Sequence, residues 1–458
     1  MDRSFSTSEY KNESAANTSA DNPLFYIFLS LLVWVPLPLG SNRLWSLSLF
    51  SAASLLLLTS WCVLLLQGRV KSSRPLRKAW PFIGLLASAT LWSALQGIPS
   101  FSLSLEPLVS QQQTVLSAGL LAFFVLALVL LNSTNRIRLT AYTLIASGLF
   151  QAIYGSLMTL SGIEFSFFIP KDSYINVATG TFINRNHLAG YLVICLSIGL
   201  GMMIATLKDT PSGNWRNRLR RWMVALLSTK ALLRISLIIM VIALVLTHSR
   251  MGNSAFFAAM MITGALALLL GRRASRSTVI LLTSLLVIDV FIVGTFFGIE
   301  KVVDRLEKTS AEHESRDEVN LYSLEVFNQA RLTGTGSGTF YTAFPEARQA
   351  DIRIFYDHAH NDYLEFLTER GLIGFIPLFI AVLLTFIVAL RAQWLRKNPL
   401  MRGLSFGCIM SVIAMSIHAS VDFNLQIPAN AAAFMLILAF GWISLYFEPR
   451  QRARHPHR

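Results

Sequence analysis

Residues 355–379, FYDHAHNDYLEFLTERGLIGFIPLF, contain the chain's densest cluster of proton-exchanging side chains. His358 and His360 stand just before a segment of strong helix formers, and Asn361 and Asp362 are typical cap residues. The pattern therefore predicts that His360 lies at a helix N-terminus. Unpaired backbone amides there favour a neutral imidazole that can accept a proton, and they also favour a bound anion. The chemistry indicated is general-base catalysis beside an anion.

Two other interpretations of these histidines stay open at this point. His358 and His360, together with Asp357 and Asp362, also supply plausible metal ligands. No second His/carboxylate cluster at ligand spacing accompanies them, however. The histidines could also be a structural pair at the protein surface.

The composition predicts an integral membrane protein. Of the 458 residues, 53% are hydrophobic and only 14% are charged, which leaves too little polar surface for a soluble protein of this size. Continuous apolar runs of about 17–25 residues predict membrane-spanning helices rather than a β-barrel, so the expected class is all-α. The twelve runs are 23–40, 44–66, 79–96, 114–132, 139–160, 187–207, 232–247, 251–271, 277–299, 371–391, 402–421 and 428–447.

The distribution of charge predicts the orientation of the bundle. Most of the 39 Lys and Arg residues fall in alternate loops and at both termini, which predicts that these are cytoplasmic. The long segment 300–370 holds more than half of the 25 acidic residues and is expected in the periplasm. The net charge of +14 thus reflects topology and attraction to membrane lipids, and no nucleic-acid partner is expected. The expected regions are a flexible cytoplasmic tail at 1–22, helices 1–9 at 23–299, a large periplasmic loop at 300–370, helices 10–12 at 371–447 and a basic cytoplasmic tail at 448–458.

Further polar motifs fall at the same predicted outer end of the bundle. We therefore expect them to lie close to the two histidines, although they are far apart along the chain. The motifs are GTFINRNHLAGYL with Arg185, Asn186 and His187, THSRMG with Arg250, the segment 315–340 with Arg316 and the glycines of GTGSGTF, and HASVDFNLQIP with Asp422.

Each motif also has a simpler interpretation. Arg185 and Arg250 could extend towards lipid headgroups, but they lie on the side where positive charge is disfavoured. The glycines of GTGSGTF indicate a tight turn, because a phosphate-binding loop would end in Lys-Ser/Thr. Asp422 could cap a helix end or orient a catalytic side chain. Asp289, in the middle of a predicted span, indicates a buried polar helix contact or a proton relay.

The motif around His360 resembles that of a known family. His360 and Asn361 are followed, after nine residues, by Gly371-Leu372-Ile373-Gly374. This spacing is similar to the His-Asn/Ser/Gln-x9-Gly-x-x-Gly/Thr/Tyr motif of the bacterial O-antigen ligase family. The other outer motifs resemble that family in matching order, over about residues 175 to 445.

The resemblance implies a membrane glycosyltransferase of the bacterial inner membrane, with twelve spans and its active site facing the periplasm. Such an enzyme moves a glycan from an undecaprenyl-diphosphate carrier to an acceptor hydroxyl, without a metal ion or other cofactor. The expected protein is an O-antigen ligase of lipopolysaccharide biosynthesis, with lipid A-core as acceptor. A repeat-unit polymerase and a protein O-oligosaccharyltransferase share the motifs. A lipid-linked sugar transporter is the alternative from another class, but the polar groups lie at one face rather than near the midplane.

The resemblance also implies roles for individual residues. Arg250 and Arg316 are the leading diphosphate ligands and Arg185 is the third, because the guanidinium fork fits phosphate oxygens. His360 would act as the base in an inverting displacement, since no carboxylate nucleophile pair is evident. The supporting residues expected around them are Asn186, His187, His358, Asn361, Asp362 and Asp422.

Overall fold

The computed structural model describes residues 20–166, 168–206, 229–270, 317–349, 352 and 355–448. This part of the chain is almost entirely helical, which confirms the predicted all-α class. A short antiparallel hairpin, β1 Phe165–Ser166 and β2 Ile169–Pro170, follows the sixth helix. The helices are α1 Asn22–Trp34, α2 Leu44–Leu66, α3 Arg74–Lys78, α4 Trp80–Gln96, α5 Pro107–Leu130, α6 Thr134–Ser161, α7 Arg185–Thr206, α8 Thr229–Leu246, α9 Arg250–Leu270, α10 at 317–329, α11 Phe340–Ala347, α12 Asp362–Leu395, α13 Pro399–His418 and α14 Pro428–Tyr446.

Eight helices of the described residues are long and apolar enough to cross a membrane, namely α2, α5, α6, α7, α9, α12, α13 and α14. The chain is therefore a multi-pass membrane protein. Helices α1 and α8 are shorter and apolar. The ninth predicted run, 277–299 with Asp289, lies outside the described residues. The total of twelve spans and the domain boundaries stay predictions.

Local sequence signals determine where several helices begin. The Ser133 hydroxyl accepts a hydrogen bond from the backbone N–H of Arg136 at 3.3 Å and caps α6. Asn398 caps α13 by accepting from the N–H of Leu400 at 2.9 Å. Proline is the first residue of α5, α13 and α14, where its missing N–H costs nothing because that amide has no helical partner.

The helices α7, α13 and α14 form the interior of the bundle and are buried along most of their length. Glycines let α7 and α13 approach backbone to backbone. A Cβ on Gly201 would overlap the carbonyl oxygen of Gly403, and one on Gly407 would lie 2.9 Å from the Ser197 carbonyl oxygen. Small residues at such a crossing are typical of helix association in membranes, where close van der Waals contact replaces the hydrophobic effect.

The two ends of the bundle gather different segments of the chain. At one end, the Arg136 guanidinium forms a buried ion pair with Asp21 at 2.7 Å. At the other end, the side-chain amide of Gln96 donates to the carbonyl oxygens of Thr333 (2.7 Å) and Glu369 (2.9 Å). This second end thus joins the end of α4 to the glycine-rich segment before α11.

Helix α12 is interrupted at Gly371, whose φ of 58° and ψ of −173° lie outside the helical region. The segment of strong helix formers after Asn361 is therefore a separate half-helix, 362–370. The interruption frees backbone groups, and the glycine-rich segment pairs with them. Leu372 N–H donates to the Arg331 carbonyl at 2.9 Å, and Gly336 N–H donates to the Glu369 carbonyl at 2.9 Å.

Absence of side chains makes this backbone contact possible. A Cβ on Gly371 would overlap the carbonyl oxygen of Leu332, and a Cβ on Gly334 would overlap that of Glu369. The expected turn in GTGSGTF is present, with positive φ values that favour glycine at Gly334, Gly336 and Gly338. The first glycine of the family-like motif is therefore a packing position.

We predict that Gly371→Ala destabilises the protein more than Gly68→Ala. Both glycines have positive φ, which costs an alanine about 1–3 kcal/mol, and the ψ of −173° at Gly371 puts its cost at the upper end. No described residue lies within 4 Å of a Cβ on Gly68. At Gly371 the overlap with Leu332 adds about 1–3 kcal/mol. Thermal unfolding of the two purified variants measures the difference, and equal losses of Tm would contradict the packing role.

Candidate active site

The start of α12 positions His360. Asn361 caps the helix, with its side-chain oxygen accepting from the backbone N–H of Tyr363 at 3.1 Å. His360 directly precedes this cap with a left-handed φ of 50°, so its expected position at a helix N-terminus is confirmed. Asp362, the other expected cap, is the first helical residue, and its side-chain oxygen instead accepts from Leu425 N–H at 3.0 Å. Asp362 thus ties α12 to the loop between α13 and α14.

His360 contacts Asp422, which lies in that loop. His360 Nδ1 is 3.3 Å from Asp422 Oδ1, and the side chains are 18% and 1% exposed. Asp422 Oδ1 also accepts from the backbone N–H of Phe423 at 3.0 Å. No hydrogen bond to His360 Nε2 occurs within the described parts of the chain.

The charge state of Asp422 determines which ring nitrogen of His360 carries the proton. Burial by itself would raise the pKa of the Asp422 carboxyl, but the hydrogen bond with His360 and the nearby imidazoles of His187 and His418 lower the pKa below its usual range. Asp422 is therefore an acceptor. In a neutral ring the proton then belongs on Nδ1, which leaves Nε2 as a proton acceptor.

His418 lies behind this pair, at the end of α13. Its Nε2 is 3.9 Å from the second oxygen of Asp422, and the side chain is buried. The Asp422 carboxylate therefore stands between two imidazoles. Sequence reasoning missed His418, although its four-residue spacing from Asp422 at a helix end would have indicated it.

Phe423 separates and orients the histidines. Its ring stacks on His358, with centroids 3.9 Å apart, and makes edge contacts with His187 at 4.6 Å and His360 at 4.9 Å. The sequence analysis placed this residue in the motif HASVDFNLQIP between two predicted spans and gave it no role. Only the contacts between distant segments indicate its role.

The first turns of α7 contact the same loop. Asn430 donates to the carbonyl of His187 at 3.0 Å and to the side-chain oxygen of Asn424 at 3.1 Å. A Cβ on Gly190 would overlap that Asn424 oxygen, so the glycine of the NHLAG stretch admits the contact. Asn184 accepts from the backbone N–H of Asn186 at 2.8 Å at the start of α7.

His358 is held as a cation by Glu365, one turn into α12. His358 Nδ1 lies 2.6 Å from Glu365 Oε1, and Ala359 N–H donates to the second carboxylate oxygen at 2.9 Å. Burial by itself would lower the pKa of His358, but the charge and hydrogen bond of Glu365 raise the pKa to about 9. At neutral pH, His358 therefore adds positive charge beside His360. Glu365 was not recognised in the sequence, because it appears there as one more polar residue of a helix.

The expected arginines fall in three situations. Arg185 begins α7 two residues before His187, with its guanidinium 5.7 Å from the Tyr174 ring centre. Its Nε is buried and has no hydrogen-bond partner among the described residues. Arg250 is the exposed first residue of α9. Arg316 lies outside the described residues. The described residues thus bring together His187, His358, His360 and Asp422.

No group of three or more His, Cys, Asp or Glu side chains that could hold a metal ion occurs within the described ranges. The three cysteines there are free, Cys195 and Cys408 being buried and Cys62 exposed.

We predict a pH-dependent contribution of the His358–Glu365 pair to stability. Since the pKa of His358 is raised to about 9, protonated His358 stabilises the fold fully below its ordinary pKa of about 6.5. That contribution is lost as the pH rises through the raised value. The Tm difference between the natural protein and Glu365→Gln should be largest near pH 6 and should shrink towards pH 9.5.

The exposed acid Glu325, on α10, provides the control. Glu325→Gln should leave Tm nearly unchanged across this range, because a solvent-exposed carboxylate gains little from any one neighbour. A Tm difference for Glu365→Gln that stayed constant from pH 6 to pH 9.5 would contradict the ion pair.

Comparison with known proteins identifies the domain that carries this site. Residues 235–379 match the family model described as O-Antigen ligase. The matched residues include Arg250, His358, His360 and Gly371, so the resemblance seen in the motifs is confirmed. No curated protein matches the chain. The chain is thus a multi-pass membrane protein that carries an O-antigen ligase domain at residues 235–379, and this domain is typical of glycosyltransferase-type ligases and polymerases.

Proposed function

We propose that the protein transfers a glycan from an undecaprenyl-diphosphate carrier to an acceptor hydroxyl at the periplasmic face of the inner membrane. The observation that carries this proposal is the contact of His360 with buried Asp422, which leaves Nε2 of the imidazole available beside a cationic His358. Such a group can take a proton from a hydroxyl while the neighbouring positive charge attracts a phosphate.

The proposed step is a single displacement. The acceptor oxygen attacks the anomeric carbon, its proton moves to His360 Nε2, and the bond from that carbon to the diphosphate oxygen breaks. The carrier leaves as the diphosphate. Asp422 acts as a positioning residue, because it holds the Nδ1 proton and stabilises the imidazolium that forms. Inversion at the anomeric carbon follows from one displacement.

Charge on the leaving diphosphate must be neutralised, and arginines support this part of the proposal. Arg250, Arg316 and Arg185 are the proposed ligands. Arg185 carries a buried Nε at the mouth of α7 that has no hydrogen-bond partner in the described part of the chain, and such a donor is costly without an anionic partner. The segment after Arg316 reaches the helix start, since Asn361 donates to Asn320 of α10 at 3.5 Å.

An apolar groove of about 520 Å³ supports a lipid-linked donor. Its upper end is formed by Asp362, Ala419 and Leu425, close to the histidine cluster, and its walls come from α9, α12, α13 and α14. From Phe375 to Phe386, α12 rises about 17 Å. This is about one leaflet of a hydrocarbon core roughly 30 Å thick. We assign the groove to the polyprenyl chain of the donor.

We predict that His360→Ala lowers the rate of glycan transfer by about 10²–10⁴-fold, the usual contribution of a general base. Asp422→Asn should also lower kcat, with little change in KM for the donor, because the amide no longer requires the proton on Nδ1. The matched control is Asp172→Asn, an exposed acid in the loop before α7.

The assay uses purified protein in liposomes, a lipid-diphosphate glycan donor and no ion gradient. It records release of the carrier diphosphate together with formation of a new glycosidic bond, which a transporter would not produce. Transfer by His360→Ala within a fewfold of the natural rate, in properly inserted protein, would reject the general-base proposal.

For the acceptor, we propose lipid A-core, which makes the protein an O-antigen ligase. Deletion of the gene should then remove all long chains from lipopolysaccharide, while lipid-linked polymer accumulates. Lipopolysaccharide capped with single units would instead assign the protein to polymerisation of repeat units. Unchanged lipopolysaccharide with loss of glycosylated proteins would indicate a protein acceptor.

A further inference from the structure

A second cavity lies at the end of the bundle opposite to the histidines. It encloses about 660 Å³ between the α2–α3 connection, the α5–α6 connection and the chain after α14. The lining combines basic side chains, Lys71, Arg74 and Arg77, with the polar Thr134 and Asn135. This end carries the basic loops that predict the cytoplasmic side.

The acidic residues of this cavity are already neutralised. Asp21 accepts two hydrogen bonds from the guanidinium of Arg136, at 2.7 and 3.1 Å, and one from Asn132 at 3.1 Å. Glu448 forms an ion pair with Arg74. The lining therefore retains a positive surplus.

Lys71 and Arg77 supply that surplus. Within the described residues, neither side chain forms a hydrogen bond or an ion pair, and both are exposed. The first turn of the long helix α6 also lines the cavity at Thr134, and a helix start adds partial positive charge.

One wall of the cavity is apolar. It is formed by Val70, Leu128, Leu131 and Phe447, which lie at the ends of membrane helices or beside them. A cationic rim over an apolar wall at the end of a membrane bundle matches an amphipathic anion better than a soluble one.

We propose that this cavity binds the phosphate of an anionic phospholipid headgroup, with Lys71 and Arg77 contacting the phosphate and the apolar wall contacting the glycerol end of the acyl chains. The site is independent of glycan transfer at the other end of the bundle. Its occupant is a lipid of the leaflet that faces the basic loops.

The test measures binding of dihexanoyl phosphatidylglycerol to the full-length protein in a non-ionic detergent, by isothermal titration calorimetry. Dihexanoyl phosphatidylcholine and inorganic phosphate are titrated in parallel arms. We expect phosphatidylglycerol to bind most tightly. The double variant Lys71→Ala/Arg77→Ala should weaken that binding about 25-fold, since each basic side chain near a membrane surface contributes about fivefold.

The matched control is Arg69→Ala/Arg138→Ala, which removes two exposed basic residues of the same end that do not line the cavity. It should retain most of the binding. Asn135→Trp should block the cavity without changing charge, and it keeps the test valid if the double variant folds poorly. If the double variant and its control bound phosphatidylglycerol equally, or if Asn135→Trp left that binding unaltered, the proposed site would be overturned.

The titrations with phosphatidylcholine and inorganic phosphate test which kind of molecule occupies the cavity. Binding of phosphatidylcholine as tight as that of phosphatidylglycerol would overturn the proposed selectivity for an anionic headgroup. Inorganic phosphate that bound as tightly as the lipid would overturn the lipid assignment and indicate a soluble phosphate ligand.

Discussion

A carboxylate buried in the loop between two membrane helices is the constraint on which the rest of the site depends. Asp422 is almost inaccessible to solvent, and removing a charge from water costs several kcal/mol unless partners compensate. The compensation comes from His360, which precedes α12, from His418 at the end of α13 and from the amide of the adjacent Phe423. Because Asp422 cannot remain charged without them, the position of the proposed base follows from the position of the acid.

The helix break at Gly371 fixes the C-terminal end of the half-helix that positions these residues. Half-helix 362–370 begins two residues after His360 and ends against the glycine-rich segment, whose backbone pairs with the groups that the break exposes. Glu365 lies within this half-helix and fixes His358, while Asp362 binds the loop that carries Asp422. The spacing between the histidine and the first glycine of the family motif therefore corresponds to the length of one short rigid element, which joins the site to the membrane-spanning part of α12.

Much of this arrangement could be predicted from the sequence because the signals are local. Continuous apolar runs gave the all-α class, Asn361 gave the helix start, and the glycines of GTGSGTF gave the turn. Of the residues that were missed, Phe423 acquires its role only through contacts between separate segments, which a single sequence does not show. Glu365 and His418 lie close in sequence to their partners His358 and Asp422, but spacing alone does not show which of several nearby polar side chains form a contact. Arg316 and the run around Asp289 lie outside the described residues, so their expected places stay predictions.

The central claim is that Asp422 fixes the tautomer of His360 and leaves Nε2 as the proton acceptor. Nitrogen-15 NMR of ring-labelled histidine in the purified protein tests it most directly, with the His360 signals assigned by their absence in His360→Gln. We expect the neutral ring to carry its proton on Nδ1, and we expect that preference to be lost in Asp422→Asn. A neutral His360 protonated on Nε2, or a tautomer unaffected by Asp422→Asn, would contradict the account.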